Sequence, residues 1–202
     1  MINDRRTFLS RLGALGAALG LGSRTAGAAE PVLPADEPWM KKLTGQHKVV
    51  FHSHLPTEGL AIRWGQTFLD TQKSVYGLTD ANSTVMIGLN GRSIGWFFND
   101  ALWAKYPTIG EVMGAPGARN PQTAAVAALT SRGALLLACN NSIRASGQRF
   151  LSEAQRADAA LRNGFADEVL KHLLPGVEVV PAMVVTLQQA QDRGCRYVYA
   201  GG

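Results

Sequence analysis

The chain is expected to fold as an α/β three-layer sandwich around a five-stranded, mostly parallel sheet. Three observations lead there. From about residue 47 onward, apolar runs of strand length alternate with longer stretches of helical period. The runs Val-Val-Phe, Val-Met-Ile, Leu-Leu-Leu and Val-Glu-Val-Val are almost continuously apolar, as strands covered on both faces are. The segments between them are long enough for the helical crossovers that parallel strands require.

The element order is β-α-β-α-α-β-α-β-α-β. Lys48-Val49-Val50-Phe51 opens the first strand, 47–53, and its β-branched and aromatic residues suit a pleated surface. The helix at 59–76 follows, with Trp64 and Phe68 one turn apart. Val85-Met86-Ile87 carries the second strand, 84–89, which Asn90-Gly91 ends as a tight turn. A helix at 92–105 holds Trp96, Phe97 and Trp103, and a loop at 106–121 is dense in Pro and Gly. Then come a helix at 122–132, the strand 134–138 on Leu135-Leu136-Leu137, and a polar insertion at 147–163 with helical spacing of Leu151, Ala154, Ala157 and Leu161. A helix at 165–174, a strand at 177–180, a helix at 184–193 and a strand at 195–199 complete the domain. Both the 106–121 loop and the 147–163 insertion exceed ordinary connections and are candidate lids.

Composition narrows the function classes. The 202 residues are 46% hydrophobic and 17% charged, enough for one domain with appendages and a real core. No apolar run beyond the first 30 residues approaches the ~18 needed to span a bilayer, so no stable membrane insertion is expected. The formal charge of +5 is concentrated at the start, where Arg5, Arg6, Arg11 and Arg24 face Asp4 alone. Without the first 28 residues 16 basic and 14 acidic residues are left, a net charge of +2, and no nucleic-acid partner is expected. The glycines around Asn90 lack dinucleotide-fingerprint spacing, and no serine sits in a nucleophile elbow.

Residues 1–29 read as an export address. Arg5-Arg6-Thr7-Phe8-Leu9 precedes a glycine-diluted apolar stretch at 12–22 and a small-residue cleavage site, Ala26-Gly27-Ala28. The arrangement resembles a twin-arginine signal, which implies a periplasmic product that can fold before export. A cytoplasmic amphipathic helix is the alternative, but four glycines in eleven residues make a poor one. Residues 30–46, with Pro31, Pro34 and Pro38, are expected to form an extended leader to a domain at 47–202.

In an open parallel sheet ligands gather beyond the carboxyl ends of the strands. Those positions hold His52, Ser53 and His54 after the first strand, Asn90 and Gly91 after the second, Cys139, Asn140, Asn141 and Ser142 after the third, and Pro181 after the fourth. Cys139 is the one ready nucleophile. A short helix beginning at Asn140 would place its N-terminus at the sulfur, with Arg144 nearby, and both favour a thiolate. A small buried hydrophobe ending a strand is the other reading. His52 and His54 would share a side if the strand stays extended. They are expected to orient a substrate; the alternative is a three-ligand zinc or copper site with Cys139, its fourth ligand open between Glu58 and Asp100. Cys195 begins the last strand where Cys139 ends the third. The two should lie about 16 Å apart, so no disulfide is expected between them.

The chain resembles the DsrE/DsrF-like sulfur-relay family over residues 47–200. The resemblance rests on Lys48-Val49-Val50-Phe51-His52, on 133–142 around Cys139, on Leu174-Pro175-Gly176-Val177-Glu178-Val179-Val180-Pro181-Ala182, on 187–194, and on Tyr197-Val198-Tyr199. It departs from the family at Asn140, where glycine is common, at Cys195, where an aromatic is common, and in the 147–163 insertion. The resemblance implies a three-layer DsrE/F-like fold and a sulfurtransferase or sulfur carrier with a persulfide on Cys139. It further implies a small sulfur donor or a carrier protein as partner and a homo-oligomer, and it calls for no cofactor and no metal. Cys139 would be catalytic, with His52, His54, Asn140, Asn141, Ser142 and Arg144 as substrate-binding residues. A non-catalytic small-ligand or metal-binding module on the same fold is the alternative. The oligomer interface is expected on the second helix, because Trp96, Phe97 and Phe98 at ~100° steps cannot all face one sheet. Cover by residues 30–46 or by the 106–121 loop is the competing explanation.

Overall fold

Among residues 37–201, which the computed structural model describes, five strands pair in parallel in the order β4-β3-β2-β1-β5. They are β1 (His47–Ser53), β2 (Ser83–Leu89), β3 (Leu135–Cys139), β4 (Val177–Val180) and β5 (Arg196–Tyr199). The expected signal at 1–29 and residues 30–36 of the expected leader lie outside the described residues. The helices are α1 (Leu60–Tyr76), α2 (Asp100–Lys105), α3 (Thr108–Val112), α4 (Thr123–Ser131), α5 (Asn140–Arg144), α6 (Ser146–Phe150), α7 (Glu153–Ala157), α8 (Ala159–Lys171) and α9 (Met183–Asp192). The architecture is an α/β sandwich, and the sheet is parallel throughout.

Side-chain alternation along the strands sorts the core into two layers. Val49, Phe51, Val85, Ile87, Leu89, Leu136 and Ala138 pack with α1, α4 and α8 in the larger one. Val50, Met86, Leu135, Leu137 and Cys139 form the smaller one with Met183, Leu187 and Ala190 of α9. Because β5 pairs with β1 at the far edge of the sheet, α9 must cross from β4 over the sheet to reach it. That crossover brings the start of α9 over the strand ends. Gly88 has no side chain there, and a Cβ would stand 2.8 Å from the Met183 sulfur.

Several expectations are corrected. Residues 38–42 are not an extended leader: Pro38–Lys42 is a 3-10 turn that buries Trp39, Met40 and Leu43 in the smaller layer, and Lys42 bonds Glu178 across it. The helix expected at 92–105 is broken. A 3-10 turn, Ser93–Phe97, ends at extended Phe98, and Asn99 starts α2 afresh by accepting the Leu102 N–H on its side chain. The ~100° argument for an outward aromatic therefore fails, since it needs a continuous helix. Trp96, Phe97, Phe98 and Trp103 are all buried, so the outward aromatic on which the expected interface rested is not there.

What covers them is the 106–121 segment, which is packing rather than lid. Tyr106, Ile109 and Met113 are buried in the same layer, and the Asn120 amide donates to the Trp96 and Phe98 carbonyls at 2.8 Å. The 147–163 insertion likewise contributes Phe150 and Leu151 to the core, Phe150 meeting Phe98 edge to face at 5.2 Å. The large exposed apolar side chains are elsewhere, among them Val184 and Val185 on α9 and Tyr197 and Tyr199 on β5. Strands β4 and β5 are the sheet edges, so the two-sided burial expected from their apolar runs is incomplete.

Candidate functional site

Cys139 is the last residue of β3 and lies in the smaller core layer, 5% exposed. It occupies the N-cap position of α5 but makes no side-chain capping bond there. Strand alternation decides this: Leu135, Leu137 and Cys139 share the face toward α9. The sulfur accepts the Met183 N–H at 3.4 Å, from the first residue of the ten-residue α9. The helix N–H that meets the sulfur thus comes from a residue 44 positions away, not from the helix that follows the cysteine.

The neighbours expected around Cys139 separate. Asn140 and Arg144 line a cleft between α5 and α8, with Arg162, Asn163 and Asp167, and Arg144 does not join the strand-end site. Asn141 is exposed. Ser142 is buried, and its hydroxyl oxygen accepts the Gly91 N–H at 2.8 Å, tying the turn after β2 to α5.

His52 closes a chain of polar groups on the α9 side of the sheet. Its Nε2 is 3.1 Å from Asn90 Oδ1 and its Nδ1 is 3.0 Å from the Tyr197 hydroxyl. Nε2–H donates to the Asn90 oxygen, and Nδ1 accepts from the tyrosine, which is the pairing open to a neutral ring. Asn90 and Cys139 each stand one position beyond the last register pair of β2 and β3, Leu89↔Ala138. The chain Tyr197–His52–Asn90 therefore ends at the carboxyl ends of the central strands. Burial holds the His52 imidazole below its ordinary value near 6.5, with the Asn90 bond opposing and nearby His54 reinforcing the shift. Burial also pushes the Tyr197 hydroxyl up, helped by Tyr199.

Below pH of about 6.5 the unfolded chain binds a proton that the folded chain resists, so the contribution of His52 is intact above that pH and is lost as pH falls. Chemical denaturation is expected to show stability declining more steeply in acid for the wild type than for His52→Gln. Parallel profiles would contradict the assignment.

His54 lies past the end of β1 in a bend, exposed, and no longer alternates with His52. Both His52 nitrogens are engaged, Cys139 is directed at α9, and no group of three or more His, Cys, Asp or Glu gathers among the described residues. The three-ligand zinc or copper reading is therefore not supported by this arrangement. Cys195 is free and buried beside the Met86 sulfur at 3.7 Å, and burial pushes its thiol up.

His54, Asn90, Gly91, Arg92, Ser142 and Arg149 line, with Leu55, a cleft of about 470 Å³ at the ends of β1, β2 and β3. Arg92 and Arg149 were not singled out by sequence reasoning. Arg92 follows Gly91 directly and could have been found there; Arg149 lies in the insertion, where no local pattern marks it.

Comparison with known proteins adds little. No family model and no curated protein matches the chain. Among solved structures it is similar to a protein of unknown function, MTH1491 from Methanobacterium thermoautotrophicum, at 18% identity over 76% of this chain and 98% of that one, with a TM-score of 0.47. Among the described residues no helix is long and apolar enough to cross a membrane.

Proposed function

We propose that the protein is a sulfur-relay or sulfurtransferase-like protein that carries sulfane sulfur as a persulfide on Cys139. The observation that supports this most is the Met183 N–H on the Cys139 sulfur, at the end of a strand where α/β sheets place their chemistry. The DsrE/DsrF-like resemblance supplies the chemical class. In the step itself the Cys139 thiolate attacks the terminal sulfur of a polysulfide. A new S–S bond forms at Sγ, the donor S–S bond breaks, and the shortened polysulfide leaves with the electron pair.

Residues 1–29 make the periplasm the proposed destination, by a twin-arginine route. A homo-oligomer stays part of the proposal on the resemblance alone, and its interface is sought away from the buried aromatics of 96–103.

Incubating the purified protein with polysulfide is expected to add about 32 Da, one sulfur atom, at Cys139 and not at Cys195, whose thiol burial pushes up. An unmodified Cys139 beside a labelled control thiol would overturn the reading.

A second reading, a non-catalytic small-ligand module, is favoured by one observation: the strand-end cleft is lined without Cys139. In that case ligand binding is retained in Cys139→Ser and no adduct forms.

A further inference from the structure

The cleft at the ends of β1, β2 and β3 is lined by polar groups whose accepting atoms are taken and whose donors are left over. Ser142 is 93% buried by its 7% exposure, and its oxygen is taken by the Gly91 N–H. Its own O–H has no acceptor among the described residues. Asn90 spends its side-chain oxygen on His52, which leaves its NH₂ as a donor at the cleft wall. Arg149 uses one N–H on the Ser142 carbonyl at 3.1 Å and keeps the rest of its fork. Arg92 and His54 are exposed on the same wall. No carboxylate lines the cleft.

Two guanidinium groups, a hydroxyl, an amide and an imidazole around one opening match a small, multiply charged acceptor. We infer that this cleft binds a small tetrahedral oxyanion, and that its sulfur-bearing form, thiosulfate, is the donor class. The last clause rests on the sulfur-relay reading; the oxyanion site itself does not. Arginine is suited to the task because its planar fork pairs two oxygens at once. Asn90, on the cleft wall and held by His52, follows β2 one residue past the last register pair with β3, Leu89↔Ala138, as Cys139 follows Ala138. When thiosulfate is the donor, the Cys139 thiolate takes the outer sulfur, the S–S bond of thiosulfate breaks, and sulfite leaves with the electron pair.

The test is calorimetric titration of the full chain with sodium thiosulfate at low ionic strength, with sulfate and phosphate as competitors. One equivalent is expected to bind to Cys139→Ser, in which no sulfur transfer can follow binding, and Arg63→Ala in that same background, a surface charge control on α1, should bind equally. Arg92→Ala should bind roughly tenfold more weakly, the loss of one charge-assisted contact, and Arg92→Glu should not bind. Sulfate should compete. No binding, or equal affinity in Arg92→Ala and Arg63→Ala, overturns the site. Phosphate displacing a ligand that thiosulfate cannot displace overturns the sulfur assignment. Thiosulfate binding without a polysulfide adduct on Cys139 sinks the relay and leaves this site standing; an adduct without thiosulfate binding does the reverse.

Discussion

Trp103→Ala is expected to lower the free energy of unfolding by about 3–5 kcal/mol, the range for removing a buried large aromatic. Trp103 is fully buried, stacks on Trp96 at 5.8 Å, and donates its indole N–H to the Gly95 carbonyl at 3.2 Å. Truncation removes the stacked ring and leaves a cavity that Trp96, Ile109 and Met113 cannot fill without leaving their own positions. Domains have about 5–15 kcal/mol in total, so the variant should be marginal at 37 °C. The measurement is urea unfolding at several protein concentrations. A shift in midpoint independent of concentration identifies Trp103 as core of the single chain. A loss below about 1 kcal/mol, or one that vanishes at high concentration, would return the aromatic cluster to an interface.

Gly91→Ala is expected to cost about 2–4 kcal/mol, through two separable causes. The first is conformational: Gly91 has φ +57°, in the left-handed region where a Cβ is penalised. The second is steric, because that Cβ would lie 2.6 Å from the His54 carbonyl oxygen. This oxygen already accepts the N–H groups of Arg92 and Ser93, so it cannot withdraw without unravelling the turn. Gly77 provides the comparison. It has φ +67° at the end of α1, but nothing lies within 4 Å of its Cβ position. Gly77→Ala should show the conformational cost alone, about 1–2 kcal/mol. Equal losses in the two variants would mean that the His54 carbonyl yields freely and that the cleft wall is soft.

Local pattern marked the five strands and the longer helices, but not α3 (Thr108–Val112), which falls inside the expected 106–121 loop. Val49-Val50-Phe51, Val85-Met86-Ile87 and Leu135-Leu136-Leu137 were legible as strands because an apolar run shorter than a helix has few other solutions. That also put Cys139 at a carboxyl end. The 92–105 break was not legible, since Asn99 restarts the helix only because its backbone N–H is already held by the His172 carbonyl and Phe98 pairs with Leu173. Those partners are some 75 residues away.

The same distinction governs the site. Sequence order placed Asn140 and Arg144 beside Cys139, yet they open onto another cleft, while the sulfur meets the Met183 amide. Arg92 and Arg149 join His54 and Ser142 only because β1, β2 and β3 end at one level and Arg149 of α6 donates to the Ser142 carbonyl. Periodicity is a property of neighbouring residues and reveals which face a side chain takes within its own element. Which elements then adjoin depends on strand order and crossovers, set by the burial of the whole apolar surface at once, and that is why the donor-lined cleft emerged only in the tertiary structure.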